Sequence, residues 1–317
     1  MLRSSTATGL MIAVVAALAF GASGPFVKPL LEAGWSPAAA VTARALIGGI
    51  VLAPVALYAL RGRWAALWHA RIRVLAIALI GVAATQLAYF AAIERISVGT
   101  GILIEFMAPL LLVGFVWMRT RKTPKAVVLA GSVFALIGLG MVVSPGGEGS
   151  IDLLGLGFAL LAAVGCAVYF VAAAKTDDGL PAVAVASVSL ILGGAVLGLI
   201  GLTGLIPFTA SVTPVNLFGG TVEWWVPMLI VGVLATGFAY ATSITASQLL
   251  GSRLASFAGL LEVVAATVYA WLLLGEQMTL IQLAGGVLIL VGIGFVRSEK
   301  TDEVSAPLEP ASLERAA

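Results

Sequence analysis

Three ionisable residues, Arg44, Glu105 and Glu262, lie inside long apolar stretches of this 317-residue chain. A charged side chain in hydrocarbon costs about 2.5–3.5 kcal/mol on insertion scales, so each asks for a partner or a use. A carboxylate withdrawn from water can load and release a proton near neutral pH, or hold a cationic ligand. Glu105 and Glu262 are therefore read as sites for a proton or for the cationic end of a small-molecule substrate. Arg44 is read as meeting a carboxylate, either the substrate's or that of Glu105. Ser23, Gln86, Tyr89 and Tyr240 add neutral donors and acceptors nearby. Thr85, Thr236, Ser243 and Ser256 read first as glue between helices. Gly21, Gly24, Pro25 and Pro109 are candidate helix breaks, where freed backbone groups can face a cavity.

Other chemistries find no support. The single cysteine, Cys166, allows no intrachain disulfide and no cysteine-based metal site. Phosphate loops, cofactor motifs and metal-ligand clusters are absent from the sequence. Gly21-Ala22-Ser23-Gly24 has the form of a serine nucleophile motif, but the only histidine, His69, falls in a loop at the opposite surface. The expectation is a non-enzyme without cofactor, metal or nucleic acid, whose partners are a small-molecule substrate, protons and the lipid bilayer. Its oligomeric state is left between monomer and homodimer.

The elements that must position these residues follow from composition. The chain is 61% hydrophobic and only 10% charged, against about 25% charged in soluble domains. Its charges cluster, leaving uncharged runs of roughly 18 residues or more, long enough to cross the hydrocarbon core. Period-2 alternation is missing, which argues against a β-barrel. The pattern predicts an all-α polytopic membrane protein with spans near 8–31, 36–60, 74–93, 97–118, 126–144, 152–174, 181–206, 225–248, 252–274 and 279–297. Every Lys and Arg except Lys28, Arg44 and Arg95 falls in segments that share one side of such a bundle. That bias predicts cytoplasmic termini and an even number of crossings of the inner membrane. Lys28, close to a helix end, is expected to snorkel. The seven tryptophans gather near span ends, as an interfacial aromatic belt does. Residues 61–73 predict a short amphipathic helix on the inner surface. At 1.5 Å per residue, Arg44 and Glu105 lie roughly 13 Å below the outer surface and Glu262 roughly 15 Å above the inner one.

The chain also resembles itself. Residues 80–89, IGVAATQLAY, match 231–240, VGVLATGFAY, and Ala130, Gly131, Val133, Leu136, Gly138 and Gly140 match Ala284, Gly285, Val287, Leu290, Gly292 and Gly294. Residues 1–144 and 151–297 thus read as two five-helix repeats, with 298–317 as a disordered cytoplasmic tail. Five is odd, so the second copy enters the membrane inverted. Two opposed bundles meeting near the midplane can rock around a shared cavity, an arrangement that favours transport.

Several segments carry a family resemblance: Phe20-Gly21-Ala22-Ser23-Gly24-Pro25, Arg44, Pro109, and Leu273-Leu274-Gly275-Glu276 leading into Gln282-Leu283-Ala284-Gly285-Gly286. In their order and spacing the chain resembles EamA-type transporters of the drug/metabolite transporter superfamily. Ile104–Pro109 looks, more weakly, like a segment of the threonine/homoserine-exporter branch. The resemblance implies ten spans and secondary transport of a small metabolite, with export of amino acids or related compounds as the leading expectation. A passive channel, drug efflux and nutrient uptake are the alternatives. The chain departs from the family in reading Glu262-Val263 where Glu-Pro is common. A proline-broken ninth helix is therefore not expected.

Overall fold

The computed structural model describes residues 2–108, 110–111, 114, 117–118, 121, 123–143, 152–175, 178–217 and 219–298. The candidate break at Pro109, the connection 144–149 and the tail 299–317 lie outside the described residues. Among the described residues, six helical stretches are long and apolar enough to cross a membrane: Ala7–Glu32, Pro37–Ala59, Arg71–Ile93, Leu153–Ala173, Ala182–Leu202 and Trp225–Gly251. Shorter apolar helices cover Ala126–Val142, Leu260–Leu274 and Leu280–Phe295. The protein is a predominantly helical, multi-pass membrane protein.

In chain order the helices are α1 (Leu2–Gly21), α2 (Ser23–Glu32), α3 (Pro37–Ala59), α4 (Trp64–His69), α5 (Arg71–Ala76), α6 (Thr85–Ile93) and α7 (Val98–Glu105). After them come α8 (Ala126–Val143), α9 (Leu153–Ala173), α10 (Ala182–Leu202), α11 (Trp225–Leu229), α12 (Ala239–Ala258), α13 (Leu260–Leu274) and α14 (Leu280–Ser298). Side-chain caps start several of them. Ser36 accepts from the Ala39 amide ahead of Pro37, Ser97 from the Thr100 amide, and Asp152 from the amides of Leu154 and Gly155. Each satisfies a donor that the first helical turn leaves free.

Breaks fall where the chemistry sits. The first span tightens at Ala22, between α1 and α2. Pro25 has no N–H to give to the Gly21 carbonyl, so an unbroken ladder is impossible there. In the fourth span α7 stops at Glu105 and a turn follows at Phe106 and Met107. The chain breaks at Gly259, between α12 and α13 and without a proline, and Glu262 stands in the first turn of α13. Two further stretches, Ile77–Ala84 and Ile230–Phe238, wind as π-helix, overlapping the repeated sequences 80–89 and 231–240. Such wide turns are rare and leave carbonyls available to other donors.

Glycine lets the helices touch. A side chain at Gly138 would stand 2.5 Å from the Gly285 carbonyl, and one at Gly285 would stand 2.7 Å from the Gly138 carbonyl. Gly292 meets Gly131 in the same way, so α8 and α14 run antiparallel. Gly194 and Gly198 pack α10 onto Ala45, Leu46 and Thr42 of α3, as their four-residue spacing suggests. The lipid-facing surface is studded with exposed apolar residues such as Ile50, Val55, Leu199 and Leu283. Trp64, Trp68 and Ile72 are exposed beside the short helix α4.

One element departs from the all-α expectation. Val215–Leu217 (β1) and Gly220–Val222 (β2) form a short antiparallel hairpin between α10 and α11. Three-residue strands are too short to leave a periodic signal, but β-branched Val215, Thr221 and Val222 suit them. The same connection folds back over Gly34–Ser36. The Trp35 indole donates to the Ser211 carbonyl at 2.7 Å, the Ser36 amide to the Thr209 carbonyl at 2.9 Å, and the Trp35 and Trp224 rings lie 5.6 Å apart.

Candidate functional site

The fold brings Arg44, Glu105 and Glu262 to one region, the two carboxylates on shared cavity walls and Arg44 behind the cavity-lining Ser23 and Gln86. Arg44 on α3 is buried. Its Nη1 donates to Ser23 Oγ of α2 and, at 3.0 Å, to Gln86 Oε1 of α6, and its guanidinium lies 5.1 Å from the Phe90 ring centre. Among the described residues it forms no ion pair with Glu105, one of the two partners the sequence left open, and meets two neutral acceptors and a ring face instead. The physical reason is position: α2 and α6 both pack on α3 and present polar atoms to it.

Glu105 is buried at the end of α7, and Glu262 lies across from it on α13. Neither carboxylate has a hydrogen bond or ion pair with a described side chain. Both line two adjoining cavities. Phe20 and Gln86 also line both. The larger cavity extends past Ala13 and Ala17 towards the N-terminal end of α1, between α1 and Ala246 of α12. The smaller one reaches the other way, to Ser23, Tyr89 and Ile102.

The tyrosines divide the work. Tyr240 lines the larger cavity and donates to the Gly81 carbonyl at 3.1 Å, a carbonyl of the first π-helical stretch. Tyr89 lines the smaller cavity under Gly24, where any side chain would stand 2.6 Å from its hydroxyl. Gly24 thus makes room for Tyr89, and Gly21 lets α1 lie on the Ala265–Ala266 backbone of α13. Lys28 does not snorkel; its Nζ pairs with Glu276 Oε1 at 2.6 Å, because the loop after α13 lies directly over the end of α2.

The profile of the EamA-like transporter family matches residues 7–144 and again residues 153–298. The chain belongs to the EamA-like transporter family. An uncharacterized inner membrane transporter, YicL, from Salmonella typhimurium (strain LT2) is 23% identical over 300 residues, spanning 91% of this chain and 95% of that protein. A crystal structure at 20% identity superposes with a TM-score of 0.61, covering 91% of this chain and 96% of the other, and shares the fold. As an EamA-like protein the chain is a membrane transporter.

Within this EamA-like site some residues escaped sequence reasoning. Phe106, Tyr169 and Phe170 line the larger cavity, yet nothing sets them apart in sequence from aromatic residues that merely fill a core. Tyr169 donates to Ser243 Oγ at 3.0 Å, which moves Ser243 from helix glue to cavity wall. Cys166 also faces this cavity. Thr85 donates to the Ile80 carbonyl at 2.6 Å within its own wide turn, while the Thr236 hydroxyl is buried without a partner among the described residues.

Proposed function

We propose that this transporter is a secondary carrier of the inner membrane that exports small amine-bearing metabolites, amino acids or compounds related to them, in exchange for protons. The observation that carries the reading is the pair Glu105 and Glu262. They are two carboxylates from different broken helices, without an ion pair among the described residues, and both line the two adjoining cavities. Either can hold an ammonium group or a proton, and binding of one favours release of the other by competition for the same negative charge.

In this reading the chain is ten spans in two inverted five-helix halves, with both termini in the cytoplasm. The antiparallel approach of α8 and α14 through repeat-equivalent glycines supports it, as do the two stretches of family match. The larger cavity then faces the cytoplasm, and the Lys28–Glu276 side is the closed outer end. Rocking of the halves would expose the carboxylates to each side in turn.

The test is transport in liposomes by the purified protein and its Glu105→Gln variant, with and without a pH gradient. The wild type is expected to accumulate an amine-bearing metabolite only with the gradient and to show counterflow. The variant is expected to insert normally and to lose accumulation. Full activity of Glu105→Gln at every pH would remove the proposed role. Rapid flux without counterflow would identify a passive pore instead.

A further inference from the structure

Resting on the transporter reading above, the cavity chemistry narrows the substrate class. We infer that the site takes an organic monoamine, a cation with an aromatic body and no carboxylate, in preference to the corresponding amino acid. Among the described residues that line the larger cavity, the charged side chains are Glu105 and Glu262, both negative. The nearby cation, Arg44, lines neither cavity; it is held behind Ser23 and Gln86. An amino acid's carboxylate would therefore meet two like charges on the cavity wall, with Arg44 held back behind Ser23 and Gln86. A monoamine brings only the charge that the site lacks.

The walls point the same way. Phe20, Tyr240, Tyr169, Phe170 and Phe106 form an unbroken row of rings, with successive centres 5.0, 5.5, 5.5 and 6.5 Å apart. Ring faces and edges attract cations and stack on flat apolar groups. The two hydroxyls in the row are already spent as donors, Tyr240 on Gly81 and Tyr169 on Ser243. Gln86 and Ser243 also line the cavity, and such neutral donors suit a phenol or hydroxyl better than a full negative charge. With two carboxylates present, one ammonium neutralises one of them and leaves the other free for the exchanged proton.

The experiment pairs each amine with its parent amino acid: phenethylamine with phenylalanine, tyramine with tyrosine, tryptamine with tryptophan. Binding to the detergent-purified full chain is measured by calorimetry, and pH-driven uptake is measured in liposomes. The amines are expected to bind at least about tenfold more tightly than their parents, a gap typical of one lost charge pairing. Glu262→Gln is expected to erase that preference. Phe170→Leu, which keeps an apolar wall, is expected to weaken amine binding severalfold in a protein that still elutes as a single species. Equal or tighter binding of the amino acids would overturn the monoamine assignment, and their gradient-driven uptake would leave the transporter reading standing. Binding of neither class would also overturn the assignment. Amine binding without gradient-driven movement would uphold the assignment while sinking the carrier reading.

Discussion

Glu276 Oε1 lies 2.6 Å from Lys28 Nζ, and the same carboxylate accepts the Val98 amide at 3.1 Å through Oε2. One side chain from the loop after α13 thus ties down the end of α2 and the first turn of α7. An anion at a helix N-terminus is favoured by the exposed amides there.

Neutralising this tie is expected to loosen the outer end. In a Cys166→Ser background, a cysteine at Ile102 should react faster with a membrane-impermeant thiol reagent once Lys28→Met or Glu276→Gln is added. The charge-swapped pair Lys28→Glu/Glu276→Lys should restore much of the protection, though not the Val98 contact. Unchanged labelling in both single variants would show that the pair does not close this end.

Arg73 presents a separate case at the opposite surface. Its Nη1 bonds both Asp178 oxygens at 2.8 Å, while its Nε and Nη2 donate to the carbonyls of Ala172 and Ala173 at the end of α9. Its side chain is only 4% exposed. Removing one partner of a buried pair costs about 3–5 kcal/mol because the other charge stays unpaired. Arg73→Ala should therefore lower thermal stability in detergent markedly, and Arg73→Ala/Asp178→Ala should lower it less. A melting temperature that barely moves in Arg73→Ala would contradict this.

Gly138 sits where no Cβ fits. Gly138→Val should push α8 from the Gly285 and Ile289 backbone of α14, whose atoms stand 2.5 and 2.8 Å from the Cβ position. Overpacking of this kind costs about 1–3 kcal/mol or more. By contrast, Gly140→Ala meets open space and should be neutral or slightly stabilising. The comparison of folded yields between the two variants is the check.

Asp152 gives a pH-dependent prediction outside the membrane. The Gly155 amide bond, followed by Arg95 and the Leu154 amide, holds its carboxyl below the ordinary aspartate range. A carboxylate with a depressed folded-state value contributes its stabilisation above the unfolded value, and loses it as pH falls through the folded one. The start of α9 should accordingly fray only in strongly acidic solution. Amide exchange at Leu154 and Gly155, corrected for intrinsic rates, should rise there and should be raised at all pH values in Asp152→Ala. The exposed Arg95 contact should add little.

Much of the architecture was legible before any coordinate. Hydrocarbon tolerates few charges, so the long apolar runs marked the spans, and the rarity of charge inside them drew attention to Arg44, Glu105 and Glu262. Those positions also reported depth, because each helical residue advances the chain by a constant rise. The glycines of 130–140 and 284–294 marked a repeat in the sequence; that they also meet in a close helix contact is shown by the structure.

Which side chains face one another was decided only by the tertiary structure. Depth along a helix says nothing of its rotation or of its neighbour. Arg44 chose Ser23 and Gln86 over Glu105, and Lys28 chose Glu276 over the lipid headgroups, because of which helices abut. The chain broke at Gly259, between α12 and α13 and without a proline, placing Glu262 in a first helical turn. Tyr169 and Phe170 became cavity walls through the packing of α9 against α6, α7 and α12. A sequence records the cost of each residue in the membrane, whereas the partner that offsets that cost is a property of the folded bundle.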